Sequence, residues 1–162
     1  EVFYGRIQDT FTPVIQQKLA EFDTEVIDHV TWNDDDKKVT ATILNMIEKG
    51  ADVVVCTGGM SVDPDDRTPG AIRDTGAEII SYGAPVLPGA MLLLGYFSDG
   101  VPILGLPGCV MYAKATVFDL ILPRIAADVP ITRRELTQLG HGGLCLGCTP
   151  CRYPVCPFGR GV

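Results

Sequence analysis

The sequence lacks any apolar run that approaches the roughly 20 residues needed for a membrane-spanning helix. Its apolar stretches, such as residues 51–56 and 91–94, are far shorter. It also lacks the basic stretch followed by an apolar segment that marks a secretory signal peptide. These absences argue against a helical membrane protein and predict a cytoplasmic location.

Positive charge is scarce as well. The chain has 13 Lys and Arg against 20 Asp and Glu, which gives a net charge of -7. The basic residues form no stripe, and the aromatic residues, 7% of the chain, are not interleaved with them. Most of such a surface repels a polyanion, so nucleic acid is not expected as a partner.

The remaining composition is that of a single globular domain with a tail. The chain has 162 residues, of which 46% are hydrophobic, enough to bury a core. Helical and strand patterns alternate, which is typical of an α/β protein. We predict a three-layer α/β/α sandwich around a mostly parallel sheet over residues 1–138, followed by an irregular Cys-rich tail over residues 139–162.

Apolar periodicity and turn residues predict the individual elements. Two helices, at about residues 13–21 and from an acidic cap at 33–36 to about residue 50, flank a strand at 24–30. A buried strand at 51–56 and a short helix at 69–75 follow. A strand at 78–82, a hairpin across 91–106 and a long helix over 110–126 complete the alternation.

Glycines begin where the buried strand ends. Thr57, Gly58, Gly59 and Ser61 follow this strand directly and lead into a helix. Ligands of open α/β sheets bind outside the carboxyl ends of strands, where glycines allow close approach of the backbone to an anion. The segment is typical of a phosphate or pyrophosphate site, although two glycines also suit a plain tight turn.

Carboxylates crowd beside these glycines. Asp63, Asp65 and Asp66 would repel a phosphate unless a divalent cation bridged them, so they suggest bound magnesium. Asp34 precedes the helix that leads into the buried strand, and in an alternating fold its side chain could reach the same edge. The alternatives are a solvated acidic turn for the three aspartates and a helix N-cap for Asp34.

The segment from residue 57 to residue 69 resembles the signature loop of the molybdopterin-binding superfamily. This superfamily includes molybdopterin adenylyltransferases, molybdenum insertases and the N-terminal domain of competence-damage-inducible proteins. Residues 5–10, 33–35, 86–89 and 106–108 are similar to its other ligand loops. The resemblance covers about residues 1–126 and implies that the family's first strand precedes residue 1.

The resemblance implies specific roles for residues at these loops. Asp34 and Asp66 would be catalytic, with Asp66 also holding magnesium. The implied contacts of the molybdopterin ligand are Asp9, Thr10, Thr57, Gly58, Gly59, Ser61, Pro88, Gly89, Pro107 and Gly108. It further implies a molybdoenzyme or another cofactor-pathway protein as a partner, and a homo-oligomer, either a dimer or a trimer.

Two departures from the family pattern bear on catalysis. Ala90 stands where insertases usually carry Lys, and Cys109-Val110 stands where the last loop usually has Asn or Ser followed by Pro. The functions left open are adenylyl transfer or metal insertion in molybdenum-cofactor biosynthesis or transfer. A pyrophosphatase of the competence-damage-inducible type and a non-catalytic cofactor-binding module are the alternatives.

The tail carries a second motif, formed by Cys145, Cys148, Cys151 and Cys156. Its spacing, Cys-x2-Cys-x2-Cys-x4-Cys-Pro, is one residue longer than the bacterial ferredoxin run. Four thiolates in a Pro/Gly-rich loop suit an iron–sulfur cluster or tetrahedral zinc. Two disulfides are the alternative, which a reducing cytoplasm disfavours. Because the tail has few apolar residues, we expect metal coordination to supply the energy that orders it.

Overall fold

The structure is a computed structural model that describes residues 3–6, 8–33 and 35–160. Its helices are α1 (Phe11–Ala20), α2 (Asp36–Glu48), α3 (Thr68–Asp74), α4 (Val117–Ala126) and α5 (Arg133–Gln138), with a 3-10 helix at Gly108–Met111. Its strands are β1 (Val54–Thr57), β2 (Glu78–Tyr82), β3 (Leu93–Tyr96) and β4 (Pro102–Leu106). No helix in these ranges is long and apolar enough to cross a membrane.

The strands form one sheet in the order β1-β4-β3-β2. β1 pairs with β4 in parallel, whereas β3 is antiparallel to both of its neighbours. β1, β4 and β2 therefore share one direction, and only β3, the first strand of the predicted hairpin, is reversed. The expectation of an α/β fold around a mostly parallel sheet is confirmed in this form.

Apolar side chains alternate between the two faces of the sheet and build a core on each. On β4, Ile103 belongs to the cluster that includes Ile43 of α2 and Ile72 of α3. Its neighbour Leu104 belongs to the other cluster, which includes Ile15 of α1 and Phe118 of α4. Because successive strand residues point to opposite faces, helices cover both sides of the sheet, and the predicted three layers are present.

Two predicted elements are wrong. Residues 24–30 form no strand; Ile27 is 55% exposed, and β1 remains an edge strand with no ladder to this segment, so its β-branched residues have no partner to stabilise them. The long helix predicted over residues 110–126 is divided. Only a 3-10 turn forms first, and α4 starts anew where the side chains of Thr116 and Asp119 form a capping box.

The tail packs on the domain instead of extending from it. Phe158 is 6% exposed and belongs to the same core cluster as Phe118. The hydroxyl of Tyr153 donates to the Asp119 carbonyl oxygen at 2.9 Å, and Leu87 and Leu144 form a single parallel bridge. Burial of Phe158 thus gives the tail an apolar anchor in the core, and the expectation that metal coordination supplies its ordering energy stays a prediction.

A candidate ligand-binding edge of the sheet

Three loops emerge at one edge of the sheet, and residues 9–10 lie beside them. Thr57 and Leu106, the last residues of β1 and β4, are register partners, so the segments that follow them start side by side. β3 begins at Leu93, opposite Gly105 of β4 and Tyr82, the last residue of β2. The glycine loop after β1, the loop after β4 and the turn before β3 thus meet at this edge, which we call the ligand edge (residues 57–66, 86–89 and 106–111 with residues 9–10).

The glycine loop is fixed to the sheet by a buried methionine. Met60 is 3% exposed, and its Cε atom lies 2.5 Å from where a side chain on Gly105 would begin. β4 therefore needs glycine at this position to admit Met60. Gly59 has φ +57, which L side chains rarely adopt, and the Thr68 hydroxyl donates to the Gly58 carbonyl oxygen at 2.7 Å. These contacts hold the loop backbone against the start of α3.

Asp66 closes the same loop from its far end. Its Oδ2 atom accepts a hydrogen bond from the Ser61 hydroxyl at 2.8 Å and another from the Ser61 backbone N–H. The Oδ1 atom of Asp66 accepts no hydrogen bond within the described ranges. Asp63 and Asp65 are exposed beside it, and the Asp63 side chain accepts from the Asp65 N–H at 3.0 Å. The loop therefore presents several carboxylate oxygens to solvent.

Tyr82 contacts this loop although it lies on the edge strand farthest from β1. Its hydroxyl donates to the Ser61 carbonyl oxygen at 3.0 Å, although β2 and β1 are the two opposite edge strands. Burial raises the pKa of Tyr82, and the negative charge of Asp66 raises it further, so the phenol stays protonated and can donate. The glycine loop must therefore arch across the strand ends, a contact that no local sequence pattern indicates.

Asp9 and Thr10 lie at the start of α1. Asp9 accepts from the backbone N–H groups of Phe11 and Thr12 at 2.9 and 3.1 Å. Burial opposes its ionisation, but these hydrogen bonds, with that from the Thr12 hydroxyl, and the charge of His29 outweigh it and lower the pKa of Asp9. The exposed Thr10 hydroxyl donates to Met111 Sδ at 2.8 Å. Thr10 thus lies beside the loop that follows β4, while the Asp9 carboxylate is engaged as a helix cap.

The other predicted loops have clear structural partners. The Val117 N–H donates to the Pro88 carbonyl oxygen at 3.1 Å, which fastens the turn at Pro88 and Gly89 to the start of α4. Pro107 and Gly108 begin the 3-10 helix directly after β4. Cys109 in this helix is partly buried, and burial raises the pKa of its thiol. A neutral thiol is a poor metal ligand.

The second predicted catalytic residue cannot be placed in the same way, because Asp34 lies outside the described residues. Its neighbours are informative. The Asp35 side chain accepts from the Lys38 N–H and caps α2, as the acidic turn predicts. Asn33 Oδ1 is buried without a hydrogen-bond partner in the part of the chain described. Since α2 leads back into β1, its N-terminus lies toward the ligand edge.

A family model described as "Probable molybdopterin binding domain" matches residues 1–127, a span that contains every loop of the ligand edge. The chain belongs to this family. The resemblance to the molybdopterin-binding superfamily is therefore confirmed, and the domain is of the type associated with molybdenum-cofactor biosynthesis.

The chain is also similar to individual proteins in sequence and in structure. The chain is 32% identical over 81 residues to a "CinA-like protein" of Mycobacterium tuberculosis and 30% identical over 87 residues to a "Putative competence-damage inducible protein" of Bacillus cereus. These matches cover 49% and 54% of the chain but span only 19% and 21% of the relatives. The molybdopterin biosynthesis enzyme MoaB of Thermus thermophilus has the same fold, with a TM-score of 0.60, 22% identity, and coverage of 80% of this chain and 91% of that one.

The four tail cysteines line a cavity of about 110 Å³, separate from the loops of the ligand edge. All four are free thiols. Among residues 3–6, 8–33 and 35–160, no three His, Cys, Asp or Glu side chains are placed to hold a single metal ion. The structure therefore brings the four cysteines around one space without a ready-made single-ion site.

A second cavity, of about 330 Å³, lies between residues 28–32 and α2. Sequence reasoning gave no sign of it, because it forms where a segment without regular structure lies along a helix. Lys38 lies 5.6 Å from the centre of the Trp32 ring, and the Trp32 indole N–H donates to the Thr42 hydroxyl at 2.7 Å. Lys49 forms an ion pair with Asp28 at 2.6 Å, so the charged groups of this cavity are already paired.

Proposed function

We propose that this domain binds molybdopterin, or its nucleotide-activated form, at the ligand edge and acts in the biosynthesis or transfer of the molybdenum cofactor. The observation that carries the proposal is the register of Thr57 with Leu106, which starts the glycine loop and the Pro107–Gly108 loop side by side. Backbone N–H groups at strand ends and in glycine loops are suited to a phosphate. The family to which the chain belongs supports a pterin as the rest of the ligand.

We propose that magnesium binds at the same loop, held partly by the phosphate of the ligand. A phosphate beside Asp63, Asp65 and Asp66 is repelled unless a cation offsets their charge. Both hydrogen bonds from Ser61 fall on Oδ2 of Asp66, which leaves Oδ1 available as an oxygen ligand. Magnesium would supply charge neutralisation at the phosphate, and Ser61 would keep the Asp66 carboxylate turned toward the loop. Asp34 is proposed, from the resemblance, as the second carboxylate.

Two other activities remain as alternatives. Hydrolysis of a nucleotide pyrophosphate is favoured by the similarity to CinA-like and competence-damage-inducible proteins. Binding without catalysis is favoured by Ala90, where insertases of the superfamily usually carry Lys. Magnesium-dependent turnover of an ADP-ribose type substrate supports the pyrophosphatase, and tight pterin binding without turnover supports the binding module.

The position of the site is tested with a matched pair of glycine variants. A side chain at Gly59 would meet Thr68 Oγ1 at 2.9 Å and stand where the loop backbone must approach a phosphate. Gly59→Val should weaken molybdopterin binding at least about tenfold, or about 1.4 kcal/mol. Gly100→Val is the control, because Gly100 also has a positive φ but lies in the β3–β4 turn. Equal affinity of both folded variants in calorimetry would place the ligand elsewhere.

The role of Asp66 is tested by comparison with Ser61. Asp66→Asn removes the charge that magnesium needs and should abolish the magnesium dependence of ligand binding. Ser61→Ala removes one hydrogen bond to Asp66 but keeps the carboxylate, so it should retain the dependence with a modest loss of affinity. If the ligand affinity of Asp66→Asn still increases with magnesium as in the wild type, Asp66 only stabilises the loop through its hydrogen bonds with Ser61. The same variants of the full chain would be assayed for pyrophosphate hydrolysis.

A further inference from the structure

The cysteines of the tail converge on one space although other residues separate them along the chain. Cys145, Cys148, Cys151 and Cys156 all line the cavity of about 110 Å³. The chain reaches this arrangement through contacts with the domain that do not involve the thiols. The Cys145 N–H donates to the Leu87 carbonyl oxygen at 2.8 Å, and the Leu87 N–H donates to the Gly143 carbonyl oxygen at 2.7 Å. The first cysteine is therefore fixed by the turn that precedes Pro88.

The far end of the tail is fixed as firmly. Tyr153 donates to the Asp119 carbonyl oxygen at 2.9 Å, and its ring contacts that of Phe158 edge to face, with centroids 6.5 Å apart. Cys156 lies between these two aromatic residues in sequence and packs, partly buried, against the main core. A scaffold anchored on both sides of the cysteine motif presents the thiols before any ligand arrives, which reduces the ordering cost of binding one.

The volume of the cavity distinguishes a cluster from a single ion. A space of about 10–15 Å³ of this kind holds one water-sized atom, so about 110 Å³ accommodates several. A tetrahedral zinc ion draws four sulfur atoms to about 2.3 Å from one centre. In a four-iron cluster each thiolate binds a different iron atom, so the four sulfur atoms surround a space, as the four cysteines that line this cavity do.

The surroundings of the cavity suit an anionic cluster. Its other walls are mostly apolar and include Ala115, Leu144, Leu146, Pro157 and Phe158. Arg152 also lines the cavity, and Arg160 donates from Nε to the Cys156 carbonyl oxygen at 3.1 Å. The positive charge of Arg152 would offset part of the negative charge of a cluster held by four thiolates.

We propose that Cys145, Cys148, Cys151 and Cys156 ligate a four-iron iron–sulfur cluster in this cavity. The residues that line the cavity and the residues of the ligand edge are different, so the two sites share no side chain. The proposal is independent of the function proposed above. A protein that fails to bind molybdopterin can still carry the cluster, and the reverse also holds.

The test is the metal content of the full chain prepared under anaerobic conditions and reconstituted with equal amounts of ferrous and ferric iron and with sulfide. The expected result is about four iron and four acid-labile sulfide per chain, as set by a four-thiolate cluster of this type, with visible absorption that reduction bleaches. Stoichiometric zinc that excludes iron and sulfide would overturn the proposal. Two protected disulfides in the same preparation would also overturn it.

Single-cysteine variants identify the ligands. Cys148→Ser and Cys151→Ser should each lose most of the bound iron and sulfide. Cys109→Ser is the matched control, because Cys109 is also a free, partly buried cysteine but lies in the 3-10 helix outside the cavity, and it should keep the full iron content. Equal iron in all three variants, each shown to be folded by circular dichroism, would mean that iron binds elsewhere.

Discussion

The ligand edge and the cysteine tail are built in opposite ways. The ligand edge gathers short loops from distant parts of the chain: the sheet register brings together those that flank β1, β3 and β4, and the contact of Thr10 with Met111 adds residues 9–10. The cysteine tail holds its four chemical groups within 12 consecutive residues, 145–156. The first is acidic and open to solvent, and the second has mostly apolar walls and one arginine, Arg152. A site made of distant loops depends on the whole fold, whereas a site made of one segment depends on how that segment is anchored.

The largest expected effect tests whether the tail is part of the domain. Phe158 is 6% exposed in the main core cluster, so Phe158→Ala should lower the free energy of unfolding by about 3 kcal/mol through lost burial and the cavity left behind. Val155→Ala is the control in the same segment, since Val155 is 80% exposed and should change stability by less than about 0.5 kcal/mol. Urea unfolding of both proteins gives the comparison. A loss under about 1 kcal/mol for Phe158→Ala would mean that the tail is an appendage.

A smaller effect tests the course of the backbone in the tail. Gly142 and Gly147 have φ +77 and +62, but a side chain on Gly142 would meet the Pro157 carbonyl oxygen at 2.5 Å, while nothing lies within 4 Å at Gly147. Gly147→Ala should lower the free energy of unfolding by about 1 kcal/mol, because alanine is less stable than glycine in the left-handed conformation. Gly142→Ala should cost at least about 1 kcal/mol more, because backbone must move. Hydrogen exchange over residues 142–160 would show the difference, and equal protection in the two variants would contradict the described path.

The smallest effect concerns α5, which joins the two regions. Hydrogen bonds from the Thr132 hydroxyl and the Thr132 N–H, and then from Arg124, lower the pKa of Glu135 to about 2, against an ordinary value of 4.5. A lowered pKa in the folded state means that ionised Glu135 stabilises the fold above about pH 4.5, and that this contribution disappears as the pH falls toward 2. The carboxylate is exposed, so solvent screening keeps the effect small.

The measurement is the melting temperature of the wild-type chain and of Glu135→Gln between pH 7 and pH 2. The wild type should melt higher at pH 7, and the gap should close as the pH falls from 4.5 toward 2, because Glu135 is protonated in both the folded and the unfolded chain only below about pH 2. A gap that stays constant over this interval would show that the capping box of α5 does not depend on charge.

The elements that sequence predicted well are those fixed by local chemistry. The Asp-rich turn before α2 caps it, and β2 spans Glu78–Tyr82 as predicted. The apolar run predicted as a strand over residues 51–56 does form β1, but the strand is shorter and spans Val54–Thr57. Each follows from patterns that act within a few residues. The strand at residues 24–30 failed because β-branched residues favour a strand only when a neighbouring strand pairs with them.

The same distinction between local patterns and long-range contacts applies to the candidate site. The glycines, the acidic cluster and the cysteine motif can be recognised in the sequence, because phosphate binding and metal binding each need particular residue types at short intervals. Tyr82 and Met60 were not predicted as parts of the site. The Tyr82 hydroxyl reaches Ser61 across the strand ends, and Met60 needs the space above Gly105, and neither contact has a signal within its own segment.

The sequence by itself therefore determined the α/β class, the glycine loop, the acidic cluster and the four thiols, since these depend on composition and local spacing. Only the tertiary structure decided that Thr57 and Leu106 end side by side, that Asp66 is held by Ser61, and that Phe158 anchors the tail in the core. The physical reason is that register and burial depend on residues far apart in the chain. Their free energy arises only when the sheet and its two helical layers are assembled.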